Sequence, residues 1–583
     1  MVKTLMKSIR EYKKESIQAM VMVTFEVILE VIIPFLMADL IDRGIDQGNM
    51  PYIIKMGIVL VIAAFISLFF GVMAGAKSAK GSAGFAKNLR KDIYYKIQNF
   101  SFFNIDRFSA SSLVTRLTTD ITNVQMAYMM IIRLAVRAPF MIIFALIASF
   151  MIDWQLSFIF IACIPIMGIA LVAIIRVSHP IFEKVFHTYD ELNNVTQENL
   201  HGVREVKAFV RENYEDKKFG RISEKIFQLF SKAEKIMAFN MPVVQFCAYA
   251  CILLLAWFGG RAIVACGGDA SLGLSTGELI SMITYAMQIL MSMMALSMVL
   301  VFITIAQTSS ERIVEVLKEQ PDIHDPENPI MHVDNGEIVF DHVDFSYFKR
   351  DDKCALRDID ITIRSGETIG IIGGTGAGKS SLVQLIPRLY DATKGSIKVG
   401  GRDVREYDIE ALRDAVAMVL QKNILFSGTI RENLQWGDES ATDEQIKHVC
   451  DLAQASEFID GFPDGYDTYI EQGGSNVSGG QKQRLCIARA LLKKPRILIL
   501  DDSTSAVDTK TDAMIRKAFR EEIPDTTKLI IAQRVSSVQD ADRIIVMDKG
   551  CIVDVGTHDE LLGRCAIYQE VYESQTKGDD KDE

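Results

Sequence analysis

One eight-residue segment has the residue types and spacing of a phosphate-binding loop. The pattern G-x-x-x-x-G-K-[ST] is formed by Gly373, Gly374, Thr375, Gly376, Ala377, Gly378, Lys379 and Ser380, and Ser381 follows. Glycines allow backbone N–H groups to surround an anion, the lysine reaches the β- and γ-phosphates, and the serine hydroxyl ligates Mg²⁺. Residues 367–372 predict a buried strand and 381–386 predict a helix start, which is the context that this loop requires. The segment therefore predicts that the chain binds a nucleotide with Mg²⁺.

Paired carboxylates follow a second apolar strand. Residues 496–500 predict a buried strand, and Asp501 and Asp502 come directly after it. Carboxylates in this position can hold Mg²⁺ or orient a water molecule for attack on a phosphate. A third apolar strand, 529–532, ends in Gln533. We expect the two carboxylates to serve the nucleotide site.

Further positions fit the same chemistry. Tyr347 lies on a predicted strand upstream of the loop and could stack on adenine, although aromatic residues on strands most often pack in a core. Gln421 follows the apolar run 415–420, and Asp508 comes shortly after the paired carboxylates. A second anion-binding edge is predicted where a helix opens at Ser478, Gly479, Gly480 and Gln481.

The nucleotide motifs occupy the second half of a chain of 583 residues, and its first half is strongly apolar. The net charge of −11 argues against a nucleic-acid binder, and the nine scattered cysteines fit neither a disulfide framework nor a zinc site. Six apolar runs are long enough to cross about 30 Å of hydrocarbon. They are 17–40, 53–76, 126–152, 156–177, 241–265 and 279–305.

The connections between these runs alternate in length. The second and fourth, 77–125 and 178–240, are long and rich in Lys and Arg, whereas the short ones carry few. The positive-inside rule therefore predicts that the long loops, both termini and the nucleotide-binding half lie in the cytoplasm. Helical periodicity in the long loops predicts helices that extend beyond the membrane, with tips near 102–107 and 209–212. Exposed aromatic residues at such tips favour docking onto another domain.

Ionisable and methionine side chains within the spans are candidates for substrate contact. Glu26 and Glu30 are spaced i,i+4 in the first span, as are Arg133 and Arg137 in the third. Counting from the outer ends of the spans puts Glu26 level with Arg137, so either a structural Glu–Arg pair or a substrate-facing role is open. The sixth span has a face that either binds varied apolar ligands or packs in lipid: Met287, Met291, Met294 and Met298.

The motifs V-S-G-G-Q-K-Q-R at 477–484 and the phosphate-binding loop at this separation resemble those of an ATP-binding cassette exporter half-transporter. The resemblance covers nearly the whole chain and implies an α-helical six-span membrane domain, similar to type IV exporters, fused to an α/β P-loop domain. We expect the membrane domain at 1–320, a linker at 321–335, the nucleotide-binding domain at 336–573 and an acidic tail at 574–583. The implied cofactors are ATP and Mg²⁺.

The resemblance also implies roles for individual residues. Tyr347 matches the aromatic residue that stacks on adenine, and Gln421 matches a glutamine near the metal. Asp501 matches the residue that supports Mg²⁺, and Asp508 matches an aspartate at the subunit interface. Residues 478–481 match the signature that contacts ATP held by the opposite subunit, and the two loop tips match coupling helices.

Two positions depart from the family pattern on the same catalytic apparatus. The family has Glu, the general base, where this chain has Asp502, which is one methylene shorter. It has His where this chain has Gln533, and an amide can neither carry charge nor shuttle a proton. The departures predict that this chain's own site is impaired in hydrolysis. Its intact signature predicts a heterodimer in which it completes the active site of a partner half-transporter.

Substrate identity is not readable from these residues. Export of amphipathic or hydrophobic small molecules across the cell membrane is the favoured function. Cationic amphiphiles fit the glutamates and methionines, and lipids and peptides remain open. The alternatives are a homodimeric lipid or peptide exporter and an ATP-gated channel or regulatory subunit. Vectorial transport distinguishes an exporter from a channel.

Overall fold

The computed structural model describes residues 1–265, 273–348, 354–503 and 505–579, except the side chains of residues 179, 186, 190 and 576–579. It divides into two compact units. The first contains Met1–Gln98 and Ser109–Glu319, and the second contains Asn99–Phe108 and Gln320–Glu583. The last four residues of the predicted acidic tail, 580–583, lie outside the described residues, as does most of the short connection after residue 265.

Helices of very different lengths build the chain up to residue 319. They are α1 (Val2–Met6), α2 (Lys13–Leu40), α3 (Met50–Gln98), α4 (Phe102–Arg107), α5 (Ala110–Thr115), α6 (Ile121–Ile152), α7 (Trp154–His201), α8 (Val203–Ala208), α9 (Glu212–Met237), α10 (Asn240–Ala265) and α11 (Thr276–Lys318). Of these, α4 belongs to the second unit. Among the residues that the structure describes, six helical segments are long and apolar enough to cross a membrane. The six predicted spans are thereby confirmed.

The first span packs against α6 and α11 around a proline. Pro34 lies inside α2 and has no N–H to donate to the carbonyl of Glu30, four residues earlier. That carbonyl accepts instead from Gln288 Nε2 of α11 at 3.3 Å. The hydroxyl of Tyr285 donates to the Val31 carbonyl at 2.7 Å. Neighbouring side chains thus satisfy backbone groups that have no water to bond in a membrane.

The helices α3 and α7 continue well past their apolar segments, and the charged helix α9 precedes the apolar helix α10, as the periodicity of the long loops predicted. A separate short helix, α4, forms at the first predicted tip. At the second tip the short helix α8 ends at Ala208, and residues 209–211 are only a turn, so the tip begins earlier than predicted. Phe209 in this turn is 76% exposed.

The second unit is an α/β domain. Its strands are β1 (Ile338–Phe345), β2 (Leu356–Ile363), β3 (Thr368–Gly373), β4 (Lys394–Val399), β5 (Arg402–Asp403), β6 (Val416–Val419), β7 (Gly428–Thr429), β8 (Tyr469–Ile470), β9 (Ile497–Asp501), β10 (Thr527–Ile531), β11 (Arg543–Asp548) and β12 (Cys551–Gly556). Its remaining helices are α12 (Lys379–Gln384), α13 (Ile409–Ala415), α14 (Ile430–Leu434), α15 (Asp443–Leu452), α16 (Ser456–Asp460), α17 (Gly479–Leu492), α18 (Thr509–Glu522), α19 (His558–Arg564) and α20 (Ala566–Asp579).

A mostly parallel sheet carries the core of this unit. Its strand order is β12-β11-β3-β10-β9-β6, and only β12 runs antiparallel. Alternate residues of its strands point to opposite faces, so Ile371 and Ile499 join one hydrophobic core while Ile372 and Leu500 join the other. Strands buried on both faces read as continuous apolar runs, which explains why the sequence located them.

Two segments outside the sheet belong to the same unit. In the segment that contains α4, Asp106 Oδ2 accepts a hydrogen bond of 2.6 Å from the Tyr390 hydroxyl, and the ring of Phe102 lies 6.0 Å from that of Tyr390. In the segment 320–335, Ile330 pairs with Tyr407 through an isolated β-bridge. The cassette therefore includes the first tip and the segment that follows α11.

We expect the substitution Tyr285→Phe to destabilise the membrane unit by about 1 kcal/mol, because it removes a buried hydrogen bond between α11 and α2 and changes little else. The measurement is the thermal unfolding midpoint of the purified full-length protein in detergent. Tyr249→Phe is the matched control, because Tyr249 is 58% exposed. Equal midpoints for the two variants would contradict the expectation.

Candidate functional site

The phosphate-binding loop connects β3 to α12, as predicted. Two of its glycines have positive φ, +81° at Gly376 and +93° at Gly378, which L side chains rarely adopt. Lys379 Nζ donates to the carbonyls of Gly373 and Gly374 at 2.8 and 2.9 Å. The ammonium group therefore lies over the concave side of the loop, where it can bind a phosphate.

The charge of Lys379 is partly desolvated. Burial lowers the pKa of its ammonium group, and the nearby carboxylates of Asp501 and Asp502 act in the opposite direction. An anionic ligand in the loop would add a further opposite charge and favour the protonated lysine. The loop is thus electrostatically suited to a polyphosphate.

A hydroxyl and a carboxylate meet beside the loop. Ser380 Oγ donates to Asp501 Oδ1 at 3.1 Å, and Asp501 is buried at the end of β9. Burial raises the pKa of Asp501, whereas the hydrogen bond from Ser380 lowers it. A serine hydroxyl and a carboxylate are ligands that Mg²⁺ prefers, so these two residues fit a metal that is bound together with phosphates.

The second carboxylate is engaged by its neighbour. Asp502 is buried, with φ of +50°, and its backbone N–H donates to the Ile531 carbonyl at 3.0 Å. Its Oδ2 accepts a hydrogen bond of 2.6 Å from Gln533 Nε2. The two residues that depart from the family pattern are therefore direct hydrogen-bond partners.

Tyr347 lies beside the loop as well. Its hydroxyl is 2.9 Å from Ser381 Oγ and donates to Gln384 Oε1 at 3.2 Å. Its ring packs edge-on against Phe345 and Tyr390, with centroids 4.7 and 5.2 Å away. The ring is thus half-buried in an aromatic cluster beside the loop, and its stacking on adenine stays a prediction.

The signature segment forms a different edge of the unit. Ser478 caps α17, where its Oγ accepts from Gln481 N and the Gln481 side chain accepts from Ser478 N. Ser478 and Gly479 are exposed. Among the described residues no hydrogen bond joins Ser478–Gln481, Gln421 or Asp508 to the phosphate-binding loop; Gln421 is exposed after β6, and Asp508 caps α18.

The signature helix is tied to the segment that follows the paired carboxylates. Gln483 Oε1 accepts from Ala506 N at 3.0 Å, and Gln483 Nε2 donates to Ser505 Oγ at 3.3 Å. The Ser505 hydroxyl in turn donates to the Asp502 carbonyl at 3.0 Å. These hydrogen bonds connect the signature helix α17 to the backbone of Asp502.

Sequence reasoning missed Gln575, which contacts the loop after β10. Its Oε1 accepts from Val535 N at 2.9 Å and its Nε2 donates to the Gln533 carbonyl at 2.8 Å. The residue lies on α20, which continues to Asp579. The high charge of the final residues concealed this helix in the sequence, and no motif marks a glutamine that acts through backbone contacts.

In the membrane unit the ion pair differs from the one that depth counting suggested. Arg137 pairs with Glu30 rather than Glu26, with Nη2–Oε distances of 2.6 and 2.8 Å. Counts from the ends of the spans mislead here because the pairing depends on how α2 and α6 pack against each other. Of the methionine face, Met287 and Met291 line a cavity with this pair. Met294 is half-buried, and Met298 is exposed.

The chain is similar to known proteins over nearly its whole length. Residues 17–306 match the family model of the ABC transporter transmembrane region, and residues 356–505 match that of the ABC transporter. An uncharacterised ABC transporter ATP-binding protein, YfiB of Bacillus subtilis, is 37% identical, with 96% of each chain covered. An ATP-dependent lipid A-core flippase of Desulfotalea psychrophila is 32% identical, with 93% of each covered.

A solved structure has the same fold. It is a bacterial Atm1-family ABC exporter with ATP bound, and it superimposes with a TM-score of 0.80 at 23% identity, covering 97% of this chain and 98% of that one. At this identity the likeness shows the fold alone. The six-span unit and the α/β unit predicted from the sequence are thereby confirmed.

We expect Ser380→Ala and Ser381→Ala to separate metal dependence from nucleotide contact. Ser380 faces Asp501, so its loss should reduce the gain in ATP affinity on adding Mg²⁺ by about tenfold, the effect of one lost metal ligand with its charge-assisted contact. Ser381 faces Tyr347, so its loss should leave that gain unchanged. The measurement is ATP binding to the full-length protein with Mg²⁺ or with EDTA. An equal effect of the two substitutions would contradict the assignment.

Proposed function

The chain belongs to the ATP-binding cassette transporter family, and we propose that it is one half of a heterodimeric exporter of amphipathic or hydrophobic molecules. Its own loop holds ATP with little turnover, and its signature completes the active site on ATP bound by the partner. The observation that carries the proposal is the hydrogen bond from Gln533 to Asp502.

The geometry at Asp502 is poor for a general base. A base must come within about 2.6–3.2 Å of the proton that it takes, and a misplacement of about 1 Å can cost on the order of 100-fold in rate. Asp502 is one methylene shorter than the glutamate of the family, and its Oδ2 already accepts from Gln533 at 2.6 Å. The neutral amide of Gln533 cannot carry charge toward a phosphate. Both properties favour retention of ATP over hydrolysis.

The other motifs of the cassette fit ATP binding at this chain's own loop and hydrolysis at a second site. Mg²⁺ supplies charge neutralisation at the β- and γ-phosphates, and Ser380 and Asp501 would hold it. Ser478 and Gly479 are exposed at the start of α17, where they are free to meet nucleotide on another subunit. The chain thus keeps what it must offer a partner and departs from the family pattern in what it needs for its own turnover.

Export of amphipaths is supported by the membrane unit. Its cavity combines an ion pair with methionines, and one relative is named as a flippase of lipid A-core, an amphipathic lipid. The Lys and Arg residues of the long loops support placement of the cassette on the cytoplasmic side of the cell membrane. ATP-driven closure of two cassettes and reopening after hydrolysis would alternate the access of the cavity.

In the purified heterodimer we expect Ser478→Arg in this chain to abolish ATP turnover, because it obstructs the site that hydrolyses. Lys379→Ala should leave a substantial fraction of turnover, because it removes ATP only from the retaining site. The measurement is steady-state ATPase activity of the complex with the six-span cassette protein that co-purifies. The double substitution Asp502→Glu and Gln533→His should restore hydrolysis at this chain's own site. ATP turnover by the complex should then be less sensitive to Ser478→Arg.

Robust hydrolysis by this chain alone would sink the impaired-site part of the proposal and favour a homodimeric exporter of lipids or peptides. Absence of ATP-dependent accumulation of an amphipath in inverted vesicles, with ATPase activity intact, would favour a channel or regulatory subunit. Equal loss of turnover in Ser478→Arg and Lys379→Ala would contradict the asymmetry.

A further inference from the structure

A cavity of about 600 Å³ lies among the membrane helices α2, α6 and α11. Its wall is apolar for the most part, with Met141, Met287 and Met291 among the lining side chains. One ion pair, Glu30 with Arg137, also lines it. The volume suits a molecule of drug or lipid-fragment size. The charged residues of the wall therefore influence which ligand head groups the cavity can bind.

The guanidinium of Arg137 is only partly used by Glu30. A single nitrogen, Nη2, donates to both carboxylate oxygens, at 2.6 and 2.8 Å. The fork geometry of Arg offers five N–H donors, and this contact leaves those on Nε and Nη1 for another acceptor. The Arg137 side chain is 35% exposed and forms part of the cavity wall.

A second guanidinium lies one helical turn away. Arg133 is spaced i,i+4 from Arg137 on α6, and it is exposed. Residue 75 on α3 is a glycine, and a Cβ there would lie 3.9 Å from Arg133 Nη1, so α3 leaves space beside this side chain. No ion pair or hydrogen bond of Arg133 occurs within the part of the chain that the structure describes.

The carboxylate of Glu26, the other acidic residue near these arginines, is buried. Glu26 is only 9% exposed, and its carboxylate faces Gly71, where a Cβ would lie 3.2 Å from Oε1. Glu26 does not line the cavity. Arg133 does not line it either, so the ionisable groups of the cavity wall are Glu30 and Arg137. The hydrogen-bonding capacity that a ligand can use there is that of Arg137.

We propose that this cavity binds amphipaths with an anionic head, a phosphate or a carboxylate, held by the N–H donors of Arg137 that Glu30 leaves unused. The tail lies against the methionine-lined wall, because methionine side chains adapt to irregular apolar shapes. Arg matches planar or tetrahedral oxyanions through paired N–H donors, and such contacts strengthen where water is scarce. This inference deepens the proposed function by naming the class of molecule that is exported.

A cationic head fits less well, although the glutamates of the sequence favoured it. A cation would have to take Glu30 from Arg137 and leave that guanidinium unpaired within the membrane, which is costly. An anion instead adds to the free donors of Arg137 without breaking the pair. The two head groups therefore differ in what they require of the same site.

The test is direct binding of radiolabelled decyl phosphate to the full-length chain in a neutral detergent, without ATP or partner. We expect decyl phosphate to bind more tightly than decyltrimethylammonium. Arg137→Lys, which keeps the charge but loses the fork, should weaken the binding of decyl phosphate by about tenfold. Arg133→Gln should have a smaller effect, because Arg133 does not line the cavity. Arg43→Gln is the matched control, because Arg43 pairs with Asp39 outside this cavity.

Tighter binding of the cation, no effect of Arg137→Lys, or an equal effect of Arg133→Gln would overturn the proposal. If inorganic phosphate competes at the same concentration as decyl phosphate, free phosphate is the ligand. That result would overturn the proposal that the cavity binds an amphipath. The binding test contains no nucleotide and no partner, so its result is independent of the proposed asymmetry of the ATP sites. Either proposal can fail while the other holds.

A separate observation concerns the end of the chain. The amide of Gln575 bonds both the Val535 N–H and the Gln533 carbonyl, at 2.9 and 2.8 Å, while the Gln533 side chain bonds Asp502. The helix that carries Gln575 is anchored by Tyr568, which is fully buried and bonded to His558 Nδ1 at 2.7 Å. We infer that Gln575 is a positioning residue that fixes the Gln533 loop from the terminal helix.

The test uses the heterodimer with Asp502→Glu and Gln533→His in this chain, so that turnover at this site is measurable. We expect Gln575→Ala to lower kcat severalfold with KM unchanged, and to have no further effect when residue 533 is Ala. Ser574→Ala is the control, because its hydroxyl bonds only the Val571 carbonyl of its own helix. Equal effects in the presence and absence of the residue 533 side chain, or a change confined to the thermal midpoint, would overturn this role.

Discussion

The alignment of three parallel strands determines where the chemistry of this protein takes place. In the pairing of β3, β10 and β9, Ile531 lies opposite Ile371 on one side and Asp501 on the other. Since parallel strands point their carboxyl ends to the same edge, the turn after each strand delivers its residues to one place. The phosphate-binding loop, the paired carboxylates and Gln533 are far apart in the chain and meet because these registers are in phase.

That constraint also explains why two departures from the family pattern act together. Asp502 and Gln533 follow adjacent strands, so a change in one alters the hydrogen bonding of the other. Asp502 has a left-handed backbone, which Asp tolerates better than most residues. A short carboxylate and an amide satisfy each other here at 2.6 Å, in a contact next to Asp501. The proposed retention of ATP is a property of the pair.

Much of the fold could be predicted from the sequence, and the reasons for what could not are physical. Apolar runs identified the strands of the large sheet because burial on both faces leaves few polar positions in them, and the six spans because their length and composition suit lipid. The phosphate-binding loop and Asp501 were found because their chemistry restricts both residue type and spacing. The Glu30–Arg137 pair was missed because the relative depth of two helices depends on packing. Gln575 was missed because its role consists of two contacts to backbone atoms, which any sequence can provide.

The first loop tip has a consequence for modularity. Residues Asn99–Phe108 belong to the same compact unit as residues from Gln320 onward, and Asp106 accepts the hydroxyl hydrogen of Tyr390. A gene fragment that starts at residue 320 would therefore encode an incomplete cassette. It would leave the cluster of Tyr390, Phe345 and Tyr347 without the ring of Phe102, and an aromatic patch of that kind favours aggregation. Exchange of cassettes between related transporters would have to carry this remote ten-residue piece along with the main fragment.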